Sequence, residues 1–483
     1  MVFSSHFFLF YFLPLALLLY FAAPPRWRSL VLTALSYAFY GWTNPLFCTL
    51  LLFSTAVDYV CGRALVGWRV APGREELPVL DPAAPRTRGQ RALVLLSVAV
   101  NLGLLGFFKY FNFGVDSANA ALAALGLAGF DAVLRVTLPL GISFYTFQSM
   151  SYTIDVYRGR AAPQRRVMDF ACYVALFPQL VAGPIIRYHE LAEQLRARTH
   201  TWEKFARGLA LFMVGLGKKI LLANPCGKMA DTAFAAADLH ALDAWLGVIA
   251  YAFQIYFDFS GYSDMAIGLG LLFGFTFPKN FDSPYRAASI TEFWRRWHIS
   301  LSAWLRDYLY VPLGGNRLGK RRTYVNLFIV MLLGGLWHGA AWTFVAWGAL
   351  HGGLLAFERA FGKRPFYQVL PHGARVALTF ALVCLSWVFF RAESIGAAWT
   401  YLAALFGAGG ATDTALLVGA VTRHPAYLTV AAIAAVVVWC SPQSADWTRR
   451  LTPVRMAISI ALGALAVAVM TVEEFNPFIY FIF

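Results

Sequence analysis

The sequence predicts an all-α, polytopic helical membrane protein with roughly ten transmembrane crossings plus re-entrant and interfacial helices. Three observations carry that prediction. The 483-residue chain is 59% hydrophobic and 13% charged, with a mean hydropathy of +0.59; soluble proteins are about 45–50% apolar and about 25% charged. Apolar stretches of about 18–20 residues, long enough to cross a bilayer, recur from end to end. The basic residues behind the net charge of +15 sit mostly in short links between those stretches, as cytoplasmic loops do. Topology accounts for the charge, and no nucleic-acid partner is expected. No long polar segment could build a second core, so residues 1–483 read as a single membrane domain. The six cysteines form no C-x-x-C pair and lie mostly in apolar runs, which fits buried, reduced thiols.

Taken in order, residues 7–21 read as a retained first span, with no charged n-region before them. Arg26 and Arg28 follow and place this link in the cytoplasm. Segments 30–42 and 46–60 make an outward-and-back pair around Asn44-Pro45. Residues 63–91, with six arginines and four prolines, form a cytoplasmic loop. A span at 92–113 leads to an external stretch at 114–136, and 138–157 returns to a loop holding Arg158, Arg160, Arg165 and Arg166. Pro178, Gly183 and Pro184 break segment 170–187, which has basic residues on both sides and reads as a re-entrant hairpin. Irregular backbone at membrane depth is tolerated only inside protein or beside a water-filled cavity, so the hairpin argues for a hollow interior. Spans 205–222 and 245–275 flank an acidic external loop, with Lys218 and Lys219 out of place near its outer end. Residues 278–322 are cytoplasmic or interfacial, 325–357 is one long hydrophobic segment, and 376–390, 427–440 and 457–472 complete the core.

His338 lies within Met331-Leu-Leu-Gly-Gly-Leu-Trp-His-Gly339, a run that otherwise belongs in hydrocarbon. Charged residues at that depth cost about 2.5–3.5 kcal/mol on insertion scales and are usually turned toward a cavity or reaction path. The bland alternative is a neutral histidine bonded to a neighbouring carbonyl. Gly335 and Gly339 would let a helix or a thin ligand approach closely, and with Trp337 they are expected to line a tunnel. His351 lies 13 residues further on, about 220° around a helix, and reads as structural. Residues 289–308 form an amphipathic helix along the cytoplasmic interface, with Trp294, Trp297, Leu301, Trp304, Leu305 and Tyr308 on one arc and His298 at its edge. His298 is either a boundary residue making one hydrogen bond or part of a tunnel mouth. Asp258 and Asp264 are acids within an apolar run, either lining a cavity or bonded to buried polar partners. Neither a metal-ligand pattern nor a P-loop is present, so no metal site and no bound cofactor are expected. The aromatic tail ending Phe478-Ile-Tyr-Phe-Ile-Phe483 is an interfacial anchor, or a carrier for the Tyr480 hydroxyl.

Four ordered motifs then align with a known family: Tyr256-Phe-Asp-Phe-Ser-Gly-Tyr-Ser-Asp-Met265, Glu292-Phe-Trp-Arg-Arg-Trp-His-Ile-Ser300, Tyr308-Leu-Tyr-Val-Pro-Leu-Gly-Gly-Asn-Arg317 and Leu336-Trp-His-Gly339. The chain resembles the membrane-bound O-acyltransferases, in particular the bacterial branch that includes alginate O-acetylation. The resemblance implies many helices around a central funnel and tunnel in a multi-pass protein of the bacterial inner membrane. It also implies acyl transfer from a cytoplasmic thioester, acetyl-CoA or an acyl carrier protein, to a hydroxyl acceptor outside. By the same resemblance His338 is the family's invariant histidine, His298 its second polar position, and Tyr480 a candidate acyl relay. An extracytoplasmic SGNH-type acetyltransferase is the implied partner. Arg295, Arg296, Lys320, Arg321 and Arg322 are placed in sequence to attract the donor's phosphates, although solvated topology-setting charges fit equally. The competing class is a secondary transporter using His338 and Asp258 without acyl chemistry.

Overall fold

The computed structural model describes all residues except 69–76, 131–132, 363–364, 410–412, 474 and 480–483. Every regular element among the described residues is helical. Backbone contacts divide the chain into two units, residues 1–205 with 269–277, and residues 206–268 with 278–483.

In the first unit, a π turn at Phe8–Phe12 runs directly into α1 (Leu13–Ala22). Helices α2 (Arg28–Gly41) and α3 (Phe47–Val66) form the expected pair, and Asn44 Oδ1 accepts from the Leu46 amide at 3.0 Å in the turn. Helix α4 (Arg88–Ala124) starts from a reciprocal cap between Thr87 and Gln90 and runs 37 residues. At 1.5 Å per residue that is about 55 Å, longer than a bilayer is thick. The sequence reading ended this span at residue 113. Gly114 does not end the helix, and the alanines beyond it favour continuation.

Helix α5 (Ile142–Arg158) is joined to α3 and α4 through Asp58, which is fully buried. Ser97 donates to this carboxylate at 2.5 Å and Asn101 at 2.8 Å, and Ser149 also bonds it. The interrupted segment becomes α6 (Val167–Ala175), α7 (Phe177–Leu180) and irregular chain leading to α8 (Tyr188–Arg196). Residues 170–186 are all buried, with Tyr173 Oη donating to Ile186 O at 2.9 Å. Irregular backbone thus sits inside protein, where other groups satisfy it.

The second unit contains most of α9 (Trp202–Gly217) and α11 (Ala241–Leu272), with α10 (Asn224–Phe234) between them. Glycines bring α9 and α11 into backbone contact. A Cβ on Gly215 would lie 2.6 Å from Gly261 O, and one on Gly268 would lie 2.6 Å from Gly208 O. Any side chain at these crossings would push the helices apart. Residues 289–308, expected as one interfacial helix, form two short ones, α12 (Ile290–Arg296) and α13 (Ile299–Leu305). Their aromatic face is turned into protein: Trp297, Leu301 and Trp304 are all buried.

The long segment 325–357 is likewise not one span. It is an antiparallel hairpin of α14 (Gly319–His338) and α15 (Trp342–Ala360), closed so tightly that a Cβ on Gly348 would lie 2.6 Å from Met331 O. His338 and His351 therefore stand on different helices, and the 220° argument does not apply to them. Helices α16 (His372–Arg391), α17 (Ile395–Leu405), α18 (Asp413–Thr422), α19 (Pro425–Cys440), α20 (Ser444–Trp447) and α21 (Pro453–Met470) follow. The sequence reading missed α17 and α18. Four helices among the described residues are long and apolar enough to cross a membrane, and α18 with α19, bent by 55°, makes a fifth candidate. Exposed apolar side chains such as Leu18, Leu95 and Leu465 suit contact with lipid.

One buried carboxylate orients α12. Glu358, near the end of α15 and 3% exposed, accepts from the Ile290 amide at 2.8 Å, the Thr291 amide at 2.9 Å and the Thr291 hydroxyl at 2.7 Å. These amides are otherwise orphan donors at a helix N-terminus, where negative charge is favoured. Glu358→Ala is expected to destabilise the protein by roughly 1.5–3 kcal/mol, with Glu358→Gln intermediate. Thermal unfolding of the detergent-purified variants checks this, and unchanged midpoints would contradict it.

Candidate active site

The site grows from the break between α12 and α13. Trp297 is extended and His298 is left-handed, at φ 44° and ψ 56°, a conformation costing roughly 1–2 kcal/mol for a residue with a Cβ. Asn280 stabilises it. Its backbone carbonyl accepts from the Ile299 amide at 2.9 Å. Its Oδ1 accepts from the Ser300 hydroxyl at 2.8 Å, the Ser300 amide at 3.2 Å and His298 Nδ1 at 3.2 Å. An atom that accepts from a backbone N–H is an oxygen, so the proton in the bond to His298 resides on Nδ1. The neutral ring then presents a basic lone pair at Nε2, which is buried and makes no hydrogen bond among the described residues.

His338 is the last residue of α14, where Gly339 leads out of the helix. A Cβ on Gly339 would lie 2.0 Å from the Phe344 ring, so this turn tolerates only glycine. The imidazole is caged edge to face by Trp337 at 5.0 Å, Phe390 at 5.3 Å and Trp347 at 5.4 Å between ring centroids. The His298 ring lies 6.4 Å away. His338 also lines a cavity of about 520 Å³ within the second unit. Leu327, Met331, Gly334 and His338 recur every three or four residues along one face of α14 and form one wall. Arg295 and Arg306 line the same cavity. An imidazole and two guanidinium groups thus share one mostly apolar chamber, which suits a ligand with an anionic end and an apolar body. Trp347 lines the same cavity, and its Nε1–H is buried without a hydrogen bond among the described residues.

The other expected site residues are placed as follows. Arg296 turns away from the cavity, to Glu292 Oε1 at 2.7 Å and Asp282 O at 3.1 Å. Lys320, Arg321 and Arg322 are exposed in the first turn of α14 and are absent from the cavity wall. Gly335 packs against Gly348, and Trp337 stands beside both histidine rings, 6.1 Å from His298 and 5.0 Å from His338, and off the wall. His351 is structural: Trp294 Nε1 donates to its Nδ1 at 3.2 Å, and Ser386 bonds its Nε2 at 2.9 Å.

Asp258 does not line this cavity; it sits in an ion pair with Lys219 at 2.8 Å, both groups almost fully buried. Lys218 pairs in the same way with Asp264 at 2.7 Å. The two misplaced lysines and the two misplaced acids therefore neutralise each other, both lysines being carried on a π turn at Lys218–Ala223. Lys219 also bonds Pro477 O, and Asp258 Oδ2 accepts from the Ile479 amide at 2.8 Å. Phe478 stacks on Tyr262 at 4.6 Å. The tail is thus inserted into the protein up to Ile479, and Tyr480 lies outside the described residues. Sequence reasoning missed Asn280, Trp347, Glu358 and the lysine pairing. The available signal for Asn280 was a polar residue between buried Phe277 and Phe281.

Comparison with known proteins identifies the family. A sequence model of the membrane-bound O-acyltransferase family matches residues 165–392. The chain is 45% identical over the full length of both chains to a protein of Pseudomonas putida described as a probable alginate O-acetylase. It is 50% identical to the Azotobacter vinelandii protein of the same description, over 85% of this chain and 79% of the other. The peptidoglycan O-acetyltransferase of Helicobacter pylori is 36% identical, over 85% of this chain and 80% of that one. The family match runs through the helices that carry His298 and His338, and with these relatives it makes the chain a member of the membrane-bound O-acyltransferase family, a multi-pass membrane O-acyltransferase.

Proposed function

We propose that the protein moves an acetyl group from a cytoplasmic thioester, acetyl-CoA or an acyl carrier protein, to a hydroxyl. The outcome is O-acetylation of an extracytoplasmic polysaccharide of the alginate class at the bacterial inner membrane. The observation that carries this reading is the shared cavity, lined by His338 together with Arg295 and Arg306. Phosphates of the donor are held by the arginines, and the acyl end extends along α14 toward His338. The acceptor oxygen attacks the thioester carbonyl while its proton passes to His338. The C–S bond breaks, and the proton is returned to the departing thiolate. His298, fixed in one tautomer by Asn280, supports His338 from behind, and Trp347 Nε1–H is the donor available to the developing oxyanion. The immediate acceptor is the Tyr480 hydroxyl, a serine of an extracytoplasmic SGNH-type partner, or the sugar itself.

Protein reconstituted with acetyl-labelled acetyl-CoA tests the assignment. His338→Ala is expected to lower acetyl transfer by about 10²–10⁴-fold, and full activity in a variant with an unchanged melting temperature would sink it. Trp347→Phe keeps an aromatic ring, though a smaller one, and removes the N–H, so kcat falls by about 10²-fold while KM stays near the wild-type value. A loss confined to KM would argue for packing alone. Asn280→Asp sets a carboxylate against His298 Nδ1, which favours the imidazolium and raises its pKa. The limb of the pH–rate profile that requires a neutral His298 therefore moves to higher pH, whereas Asn280→Ala lowers kcat without that displacement. An unchanged profile for Asn280→Asp would remove His298 from the mechanism.

A further inference from the structure

The first unit contains a cavity of about 710 Å³ that plays no part in the chemistry assigned above. Its lining includes five arginines, Arg26, Arg165, Arg166, Arg196 and Arg198, and one carboxylate, Asp169, so five positive charges less one negative leave +4. The arginines arrive from three separate stretches: the link after α1, the loop before α6, and the end of α8 with the chain beyond it. Bringing like charges together from distant parts of a sequence is unfavourable unless an anion compensates them. A topology signal requires only that arginines lie on one side of the membrane; it does not require them to converge on one concavity.

Part of this site is rigid. Arg198 Nη2 donates to Ser29 Oγ at 3.1 Å, and its guanidinium lies 4.7 Å over the Phe275 ring. Its Nη1 is buried and makes no hydrogen bond among the described residues. Beside the arginines, Trp27, Leu30, Val167 and Met168 are 38–48% exposed. A tryptophan and aliphatic side chains next to basic groups are the composition of a membrane–water interface. Basic pockets at that depth on the cytoplasmic side suit phosphate headgroups, and guanidinium forks bond phosphate oxygens in pairs.

We propose that this pocket binds a clustered phosphate anion at headgroup level, through Arg26, Arg165, Arg166, Arg196 and Arg198. Such an anion is either the headgroup of an acidic phospholipid or a soluble phosphate compound. The test uses full-length, delipidated protein in detergent with three probes: cardiolipin, inorganic pyrophosphate and phosphatidylcholine. Native mass spectrometry reads the lipids and calorimetry reads pyrophosphate. Saturable cardiolipin binding without pyrophosphate binding supports the proposal with a lipid source, and saturable pyrophosphate binding supports it with a soluble source. In either case Arg26→Gln with Arg166→Gln weakens binding by about tenfold or more, and added salt weakens it further. Both residues are exposed, so the variant is expected to keep the wild-type melting temperature without ligand, and each single substitution provides a second, milder variant. The proposal is overturned if neither phosphate probe binds saturably, if binding is indifferent to the substitutions, or if phosphatidylcholine binds equally well.

Discussion

One oxygen, Asn280 Oδ1, receives three donors at the break between α12 and α13, and the neighbourhood of His338 is arranged around that point. A continuous helix through residues 289–308 would carry His298 on the flank of an interfacial cylinder. The left-handed turn redirects the chain so that Trp297 and His298 both enter the interior, where each is almost wholly shielded. The cost of that turn is offset by hydrogen bonds that satisfy the first free amides of α13. Glu358 does the equivalent for α12 from the far end of the α14–α15 hairpin. Two polar side chains thus hold the short helices between which His298 is set.

Close backbone approach does the rest of the positioning. Apolar burial offers little drive for helix association where lipid is the alternative neighbour, so van der Waals contact between backbones matters more. The hairpin closes at Gly335 and Gly348, and the turn after His338 closes at Gly339 under the Phe344 ring. These contacts leave His338 at the end of its helix, within an aromatic cage and facing the cavity. A histidine in the middle of a continuous span would have faced a neighbouring helix or lipid instead.

The buried charges follow a different logic. An unpaired carboxylate or ammonium in a low-dielectric interior is far costlier than a matched pair, which roughly breaks even when every remaining donor is used. Lys219 and Asp258 meet that condition by also bonding the incoming tail, at Pro477 O and the Ile479 amide. Asp258, which stands out in the sequence as an acid inside an apolar run, is therefore occupied in holding peptide.

Much of this molecule was legible from residue order. Hydropathy was enough for an all-helical membrane protein, the prolines and glycine of 170–187 for a segment unable to span, and the ordered motifs for the family. Helix ends and breaks were not legible in the same way. The α14–α15 hairpin and the α12–α13 break preserve the apolar pattern of a continuous helix, and Gly114, a stop signal by its position after residue 113, lies inside a helix that runs on to Ala124. Nor could sequence separate Arg295 from Arg296, because adjacent residues on a short helix differ only in which neighbour they meet. The sequence by itself determined the class of solvent, the helical content and the family. Only tertiary structure decided which polar groups pair, since lysine with aspartate, asparagine with histidine and glutamate with a helix end are contacts between segments 18 to 68 residues apart, and such partners are chosen by packing rather than by local pattern.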